Sequence, residues 1–246
     1  MNKLLTRVGE RLADYLTRPH EGDGGPPVGT DEDWQGHLQP CDVLLVDGSS
    51  RIATAIKYLT QSTWSHSALY VGDVGARTEA GEPATLIEAD VREGVRAVPL
   101  SLYDGANVRI CRPARMTDDD RTRMLAFACD AIGRQYDLRN VFDLLRYLLP
   151  EPPIPARWRR RLIELGSGEP TRAICSTLIA QAFQSVHYPV LPEARVAAEG
   201  TLRYRPRHHS FITPRDFDLS PFFSVIKPTL EAGFDYRRFP WVPETD

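Results

Sequence analysis

The sequence predicts an α+β domain, and three observations point to it. Short strand-like runs cluster between residues 42 and 112. Two of them, 85–90 and 94–98, are joined by Arg92–Glu93–Gly94, which reads as a hairpin and makes that pairing antiparallel. Two helical segments with one apolar face each follow, over 117–132 and from Cys175 onward. The composition fits a globular chain: 246 residues, 42% hydrophobic and 26% charged, a length that suits one domain with decorations.

Along the chain, Leu4, Leu5, Val8, Leu12 and Leu16 recur at helical spacing, so residues 3–17 read as an amphipathic helix. It either docks on its own domain or meets a membrane surface or partner. Arg7, Glu10, Arg11 and Asp14 interrupt it, so a signal peptide is not expected. No run reaches the roughly 18 apolar residues a membrane span needs. Residues 19–40 are rich in Gly, Pro and acids and read as a linker, which sets an appendage at 1–40 against a folded unit at 41–246.

Asp42–Asp47 opens that unit as a strand. Ser49 and Ser50 can cap a helix bearing Ile52, Ile56 and Leu59, and Ser67–Gly72 and Asn107–Arg112 are further strands. Thr117 with Asp118–Asp120 forms an N-cap and an acidic first turn for a helix through Leu125, Ala128 and Ile132, stopped by Gly133. Residues 138–165 break the pattern as an insertion: a leucine-rich helical stretch, a proline run, then four arginines around Trp158. The tail from Thr201, rich in Pro, Arg and aromatics, is expected to wrap over the surface.

The net charge of −3 supplies no global positive field, so nucleic acid is not an expected partner. The four cysteines, Cys41, Cys111, Cys129 and Cys175, form no CxxC pair. Metal-ligand spacing and a disulfide framework are therefore not expected, and reduced thiols in a cytoplasmic protein are. No phosphate loop, dinucleotide fingerprint or zinc signature is present, so no cofactor and no metal are expected.

Cys175 is the most informative residue. It begins an amphipathic helix and shares the inward face of Leu178 and Ile179. A helix N-terminus favours thiolate, and such sites can bring a cysteine pKa from about 8.5 to roughly 3.5–7.5. A buried structural cysteine is the plainer reading of the same position. His66 stands at the mouth of a strand among small polar residues, where it is either a base or a hydrogen-bonded structural histidine. Glu88 sits in an otherwise apolar strand, and a carboxylate there needs a charged or hydrogen-bonding partner. An imidazolium would serve. The three types together are nucleophile, base and orienter. His208–His209 lack ligand spacing and read as surface residues, His187 as a helix C-terminal cap, and Cys41, Cys111 and Cys129 as small core hydrophobes.

Four pieces in order, SHSALYVG, LIEAD, GRQYDL and AICSTLIAQAF, preceded by CDVLLVDGSSRIATAIKYLTQSTWSH, resemble the YiiX/YebB-like hydrolases, a circularly permuted branch of the NlpC-type papain-fold superfamily. The likeness covers about residues 41–190, and PRDFDLS resembles the family's C-terminal end more weakly. It implies a permuted papain-like α+β fold, with an antiparallel sheet packed on the cysteine helix. It further implies that Cys175 attacks a carbonyl, His66 takes and returns the proton, and Glu88 fixes the imidazole tautomer. Tyr136 would help bind substrate or simply pack, and the backbone N–H of Cys175 or Ser176 would meet the oxyanion. The expected activity is thiol hydrolysis of an amide, as in a peptide or peptidoglycan fragment. Two alternatives stand beside it: a lipid ester hydrolase or acyltransferase of the same fold, and a non-catalytic binding module. The expected partner is a small peptide-like or acyl substrate, and segments 3–17 and 138–165 are the candidates for peripheral membrane contact.

Overall fold

The computed structural model describes residues 34–90, 93–135, 174–196 and 201–231, together with 233, 235 and 237. The helix expected over 3–17, the insertion 138–165 and Tyr136 lie outside these residues. The strands are β1 (Val43–Val46), β2 (His66–Tyr70), β3 (Leu86–Asp90), β4 (Gly94–Val98), β5 (Val108–Pro113), β6 (Glu193–Val196), β7 (Leu202–Arg205) and β8 (Phe223–Ile226). The helices are α1 (Arg51–Thr60), α2 (Asp118–Cys129), α3 (Ile174–Ser185), α4 (Pro214–Leu219) and α5 (Pro228–Glu231).

Six strands form one sheet in the order β4–β3–β2–β1–β5–β8, every neighbouring pair antiparallel, while β6 and β7 form a separate hairpin. The strand period of two divides the apolar residues between two layers. Val43, Leu45, Leu69, Ile87 and Cys111 meet Leu178, Ile179, Ala182 and Phe183 of α3 and Met124 and Ala128 of α2. Leu44, Val46, Ala68, Leu86 and Ile110 face the opposite side, which Trp34, Leu38, Leu100 and Tyr103 close. Both faces of β1 are thus covered, which explains why it is apolar at every position. Residues 34–40, expected as the end of a linker, belong to this second layer. They are tied down where Arg112 donates to the His37 carbonyl at 2.6 Å and Gln39 N–H to Asp42 Oδ2 at 2.8 Å.

Local signals place the first two helices. Ser50 Oγ accepts from Ala53 N–H at 3.2 Å, and Thr117 Oγ1 from Asp120 N–H at 3.2 Å. Helix α2 was expected to reach Ile132 but ends at Cys129. The cause is tertiary: Gly133 N–H donates to the Val95 carbonyl at 2.8 Å, and Val95 N–H to the Arg134 carbonyl at 3.0 Å. A continued helix would leave that edge of β4 unpaired. Gly94 must allow the approach. Its φ is +75°, and a Cβ there would lie 2.4 Å from the Arg134 oxygen. Helix α3 ends in a Schellman turn: His187 is left-handed at φ 57°, its N–H reaches the Gln184 carbonyl, and Tyr188 N–H reaches that of Phe183.

The tail from Thr201 corrects the sequence reading. Rather than only wrapping the surface, it supplies β8, the edge strand beside β5, and places Ile212, Phe217 and Phe223 in the core. Proline, arginine and aromatic residues are scattered through it without a period, and the four-residue strand inside it pairs with a partner more than a hundred residues earlier, so no local pattern announces it. Helix α4 starts with Pro214 after Thr213, whose N–H donates to Asp216 Oδ2 at 2.7 Å.

Phe183 joins these parts. It is fully buried, with ring centroids 5.1 Å from Phe223, 5.4 Å from Tyr188 and 6.2 Å from Phe217. Phe183→Ala is expected to cost about 3–5 kcal/mol, read as a lower denaturant midpoint. An unchanged midpoint would mean that α3 and the tail do not share one core.

Candidate active site

His66 begins β2, and the chain leading to it is clamped from both sides. Ser65 Oγ accepts Gly48 N–H at 2.9 Å, and Ser65 N–H donates to the Val46 carbonyl at 3.1 Å. Trp64 Nε1 donates to Asp218 Oδ2 at 3.1 Å, while Arg109 holds both oxygens of Asp218 at 2.7 and 2.8 Å and lies 4.9 Å over the Trp64 ring. Helix α4 therefore anchors the approach to His66.

Glu88 lies on the same face of the sheet as His66, one strand over and one step diagonal. With Leu69 opposite Ile87, continuing the register sets Ala68 opposite Glu88. Glu88 Oε2 stands 2.8 Å from His66 Nε2. It is 2% exposed, and a carboxylate so buried needs several strong donors. Arg96, its cross-strand partner on β4, gives two: Nε at 2.8 Å and a terminal nitrogen at 2.7 Å, both to Oε1. Tyr103, in the 3-10 turn Leu100–Tyr103, donates its hydroxyl to Oε2. Burial would raise the Glu88 carboxyl, but the His66 hydrogen bond and charge, then Tyr103 and Arg96, hold it well below the ordinary carboxylate range.

Cys175 is the second residue of α3 and is 5% exposed. The β2–β3 ladder pairs Leu69 with Ile87 and Tyr70 with Leu86; the next bridge in register would set Ser67 opposite Ala89. Ser67 N–H instead hydrogen-bonds to Cys175, as does the His66 ring. Since Nε2 is on Glu88, the imidazole meets the sulfur through Nδ1. Burial alone would push the thiol up, but the His66 charge and hydrogen bond, followed by Ser67, bring it below the ordinary cysteine value. For His66 the balance is the mirror image. Burial acts to lower it, and Cys175 first, then Glu88, raise it instead. Each of the two groups thus shifts the other toward its charged form.

The structure thus brings Cys175, His66 and Glu88 into one hydrogen-bonded chain. Ser176 is fully buried and its hydroxyl donates to the Ile212 carbonyl at 2.6 Å, so that side chain fastens α3 to the tail. Tyr136 is outside the described residues. Cys41 and Cys111 are fully buried in the α3-side core, and Cys129 is partly buried there. His208 and His209 stack on each other at 4.0 Å near the surface. Among the described residues no group of three or more His, Cys, Asp or Glu side chains could hold a metal ion, and no helix is long and apolar enough to cross a membrane.

Arg96 and Tyr103 were missed by the sequence reading. Arg96 was within reach: a hairpin turning at residues 92–94 sets Glu88 opposite Arg96, and an acid facing a base across a pair is a legible signal. Nothing local marks Tyr103, which arrives by the packing of a short turn under the sheet.

Residues 37–145 match the family model described as a permuted papain-like amidase enzyme, YaeF/YiiX, C92 family. The matched stretch contains His66, Glu88, Arg96 and Tyr103; Cys175 lies beyond it. It carries the permuted papain-like identification and supports an activity of the amidase kind. Among solved structures, the chain is similar to a crystal structure of the metalloprotein yiiX from Escherichia coli O157:H7, at 14% identity and a TM-score of 0.47, over 77% of this chain and 97% of that one. No curated protein matches the chain.

Proposed function

With residues 37–145 matching the permuted papain-like amidases as the premise, we propose that the chain is a cysteine hydrolase that cleaves an amide through Cys175, His66 and Glu88. The observation that carries this reading is the hydrogen-bonded run from the Cys175 sulfur through the His66 ring to Glu88 Oε2.

The Cys175 thiolate attacks the amide carbonyl carbon, and the oxygen takes up the negative charge. The backbone N–H groups at the start of α3, of Cys175 or Ser176, are the donors offered to it. His66, as imidazolium, gives its Nδ1 proton to the departing amine nitrogen, so the C–N bond breaks and a thioester to Cys175 remains. Neutral His66 then takes a proton from water, which attacks the thioester; the carboxylic acid leaves, and sulfur and ring regain the ion pair. Glu88 keeps the proton of the ring on Nε2 throughout, so that Nδ1 is the nitrogen that exchanges protons.

Rapid acid quench of the protein with soluble amide and ester acyl donors tests this by intact-mass measurement. An acyl adduct located on Cys175 and absent from Cys175→Ala is the expected result. Turnover that continues in Cys175→Ala would overturn the reading.

A further inference from the structure

We propose that Arg96 and Tyr103 are positioning residues of this site: together they fill the remaining acceptor positions of Glu88, fix its Oε2 on His66 Nε2 and share its negative charge, so that the oriented ring can release its proton on the Cys175 side. This rests on the proposed function and adds a layer of residues to it.

The geometry divides the labour between the two oxygens. Oε1 receives both Arg96 nitrogens, at 2.8 and 2.7 Å, and a guanidinium bound by two of its N–H groups resists rotation of the carboxylate. Oε2 receives His66 Nε2 and the Tyr103 hydroxyl. With four donors on one buried group, Glu88 is stabilised as an anion and is a poor acceptor for the His66 proton. The Tyr103 ring also lies 6.1 Å from the His66 ring, so it bounds the space in which the imidazole could tilt.

Arg96 is itself held in place. Its other terminal nitrogen is 2.9 Å from Glu93, and Asp90 stands 3.9 Å away, so the turn of the β3–β4 hairpin grips the guanidinium from the solvent side. Among the described residues, the charged groups around His66 are then Cys175 from α3, Glu88 and Asp90 from β3, Arg96 from β4 and Glu93 from the turn. The Lys57–Asp47 pair at 2.9 Å, just past the Val46 that pairs with His66, sums to zero charge. Arg96 lies 2.7 Å from Glu88, so it competes with the imidazolium for that carboxylate. Removing it leaves the whole anion to His66.

The sign of the effect follows. Arg96→Gln deletes a positive charge beside the imidazolium and makes His66 harder to deprotonate. Tyr103→Phe deletes a neutral donor from Oε2, which makes the carboxylate more basic and acts in the same direction. Arg96→Lys keeps the charge but cannot reproduce the two-pronged grip.

NMR of the His66 ring carbons against pH, with Cys175 alkylation followed by mass spectrometry on the same samples, reads this without any substrate. The expected result is an upward move of the His66 titration by about half a pH unit or more in Arg96→Gln, a smaller upward move in Tyr103→Phe, and a return toward wild type in Arg96→Lys. A purely structural role would lower the melting temperature and leave the titration where it is. A folded Arg96→Gln and Tyr103→Phe that both titrate as wild type would overturn the proposal. Failure of the underlying function looks different: wild-type Cys175 would then show no reactive thiolate at all. Should Arg96→Gln not fold, Tyr103→Phe, which keeps the ring and its packing, carries the test alone.

Discussion

Cys175→Ala and His66→Ala are each expected to lose about 10⁴-fold or more of amide-cleaving activity, equivalent to roughly 5 kcal/mol or more of transition-state stabilisation. The alanine at 175 removes the nucleophile, and the alanine at 66 removes both the proton donor for the leaving amine and the charge that holds the thiolate. Glu88→Gln is expected to lose less, on the order of 10²-fold. The reason is chemical. A glutamine amide would donate to Nε2 of the ring, forcing its proton onto Nδ1 and giving the tautomer that cannot accept a proton from water on the Cys175 side. Steady-state rates on one soluble amide, with circular dichroism to confirm folding, make the comparison. Cys175→Ala retaining wild-type turnover would sink the nucleophile, and Glu88→Gln equal to wild type would sink the orienter.

A second large effect is expected in thiol reactivity. At pH 6, iodoacetamide should label Cys175 at least about 100-fold faster than Cys41 or Cys111, because the thiolate is the reacting form. Burial pushes Cys41 up to about 11 and Cys111 up to about 12, so their thiolate fractions at that pH are negligible. Cys175 is buried as well, yet the His66 charge and hydrogen bond and the Ser67 N–H reverse the effect of burial. Its pKa is depressed, so the thiolate persists to lower pH than that of an ordinary thiol and is lost as pH drops through the lowered value. An unperturbed thiol loses about tenfold in thiolate per unit below about 8.5. His66→Ala should restore that ordinary slope or shift it to still higher pH. Tryptic mapping of labelled sites between pH 5 and 9 measures it. Protection of Cys175 across this range in the wild type would contradict a thiolate–imidazolium pair.

The sequence alone determined the elements whose signals are local. Ser50 and Thr117 cap helices because a hydroxyl followed by free N–H groups needs no distant partner. The β3–β4 hairpin follows from its turn and alternation, and α3 from the apolar face that begins at Cys175. Glu88 was legible for an energetic reason: a carboxylate inside an apolar strand demands a partner, and the demand can be read before the partner is known. Tertiary structure decided what depends on contacts far apart in the chain. It ended α2 early to pair Gly133 and Arg134 with β4, and it drew the C-terminal tail into the sheet and used Asp218 to brace Trp64. It turned the Ser176 hydroxyl toward Ile212, and it set Tyr103 and Arg96 on Glu88. Propensity and periodicity report only what neighbours in sequence can do. The second layer of donors around a buried charge is assembled from separate elements, and its stabilisation exists only once all of them have packed.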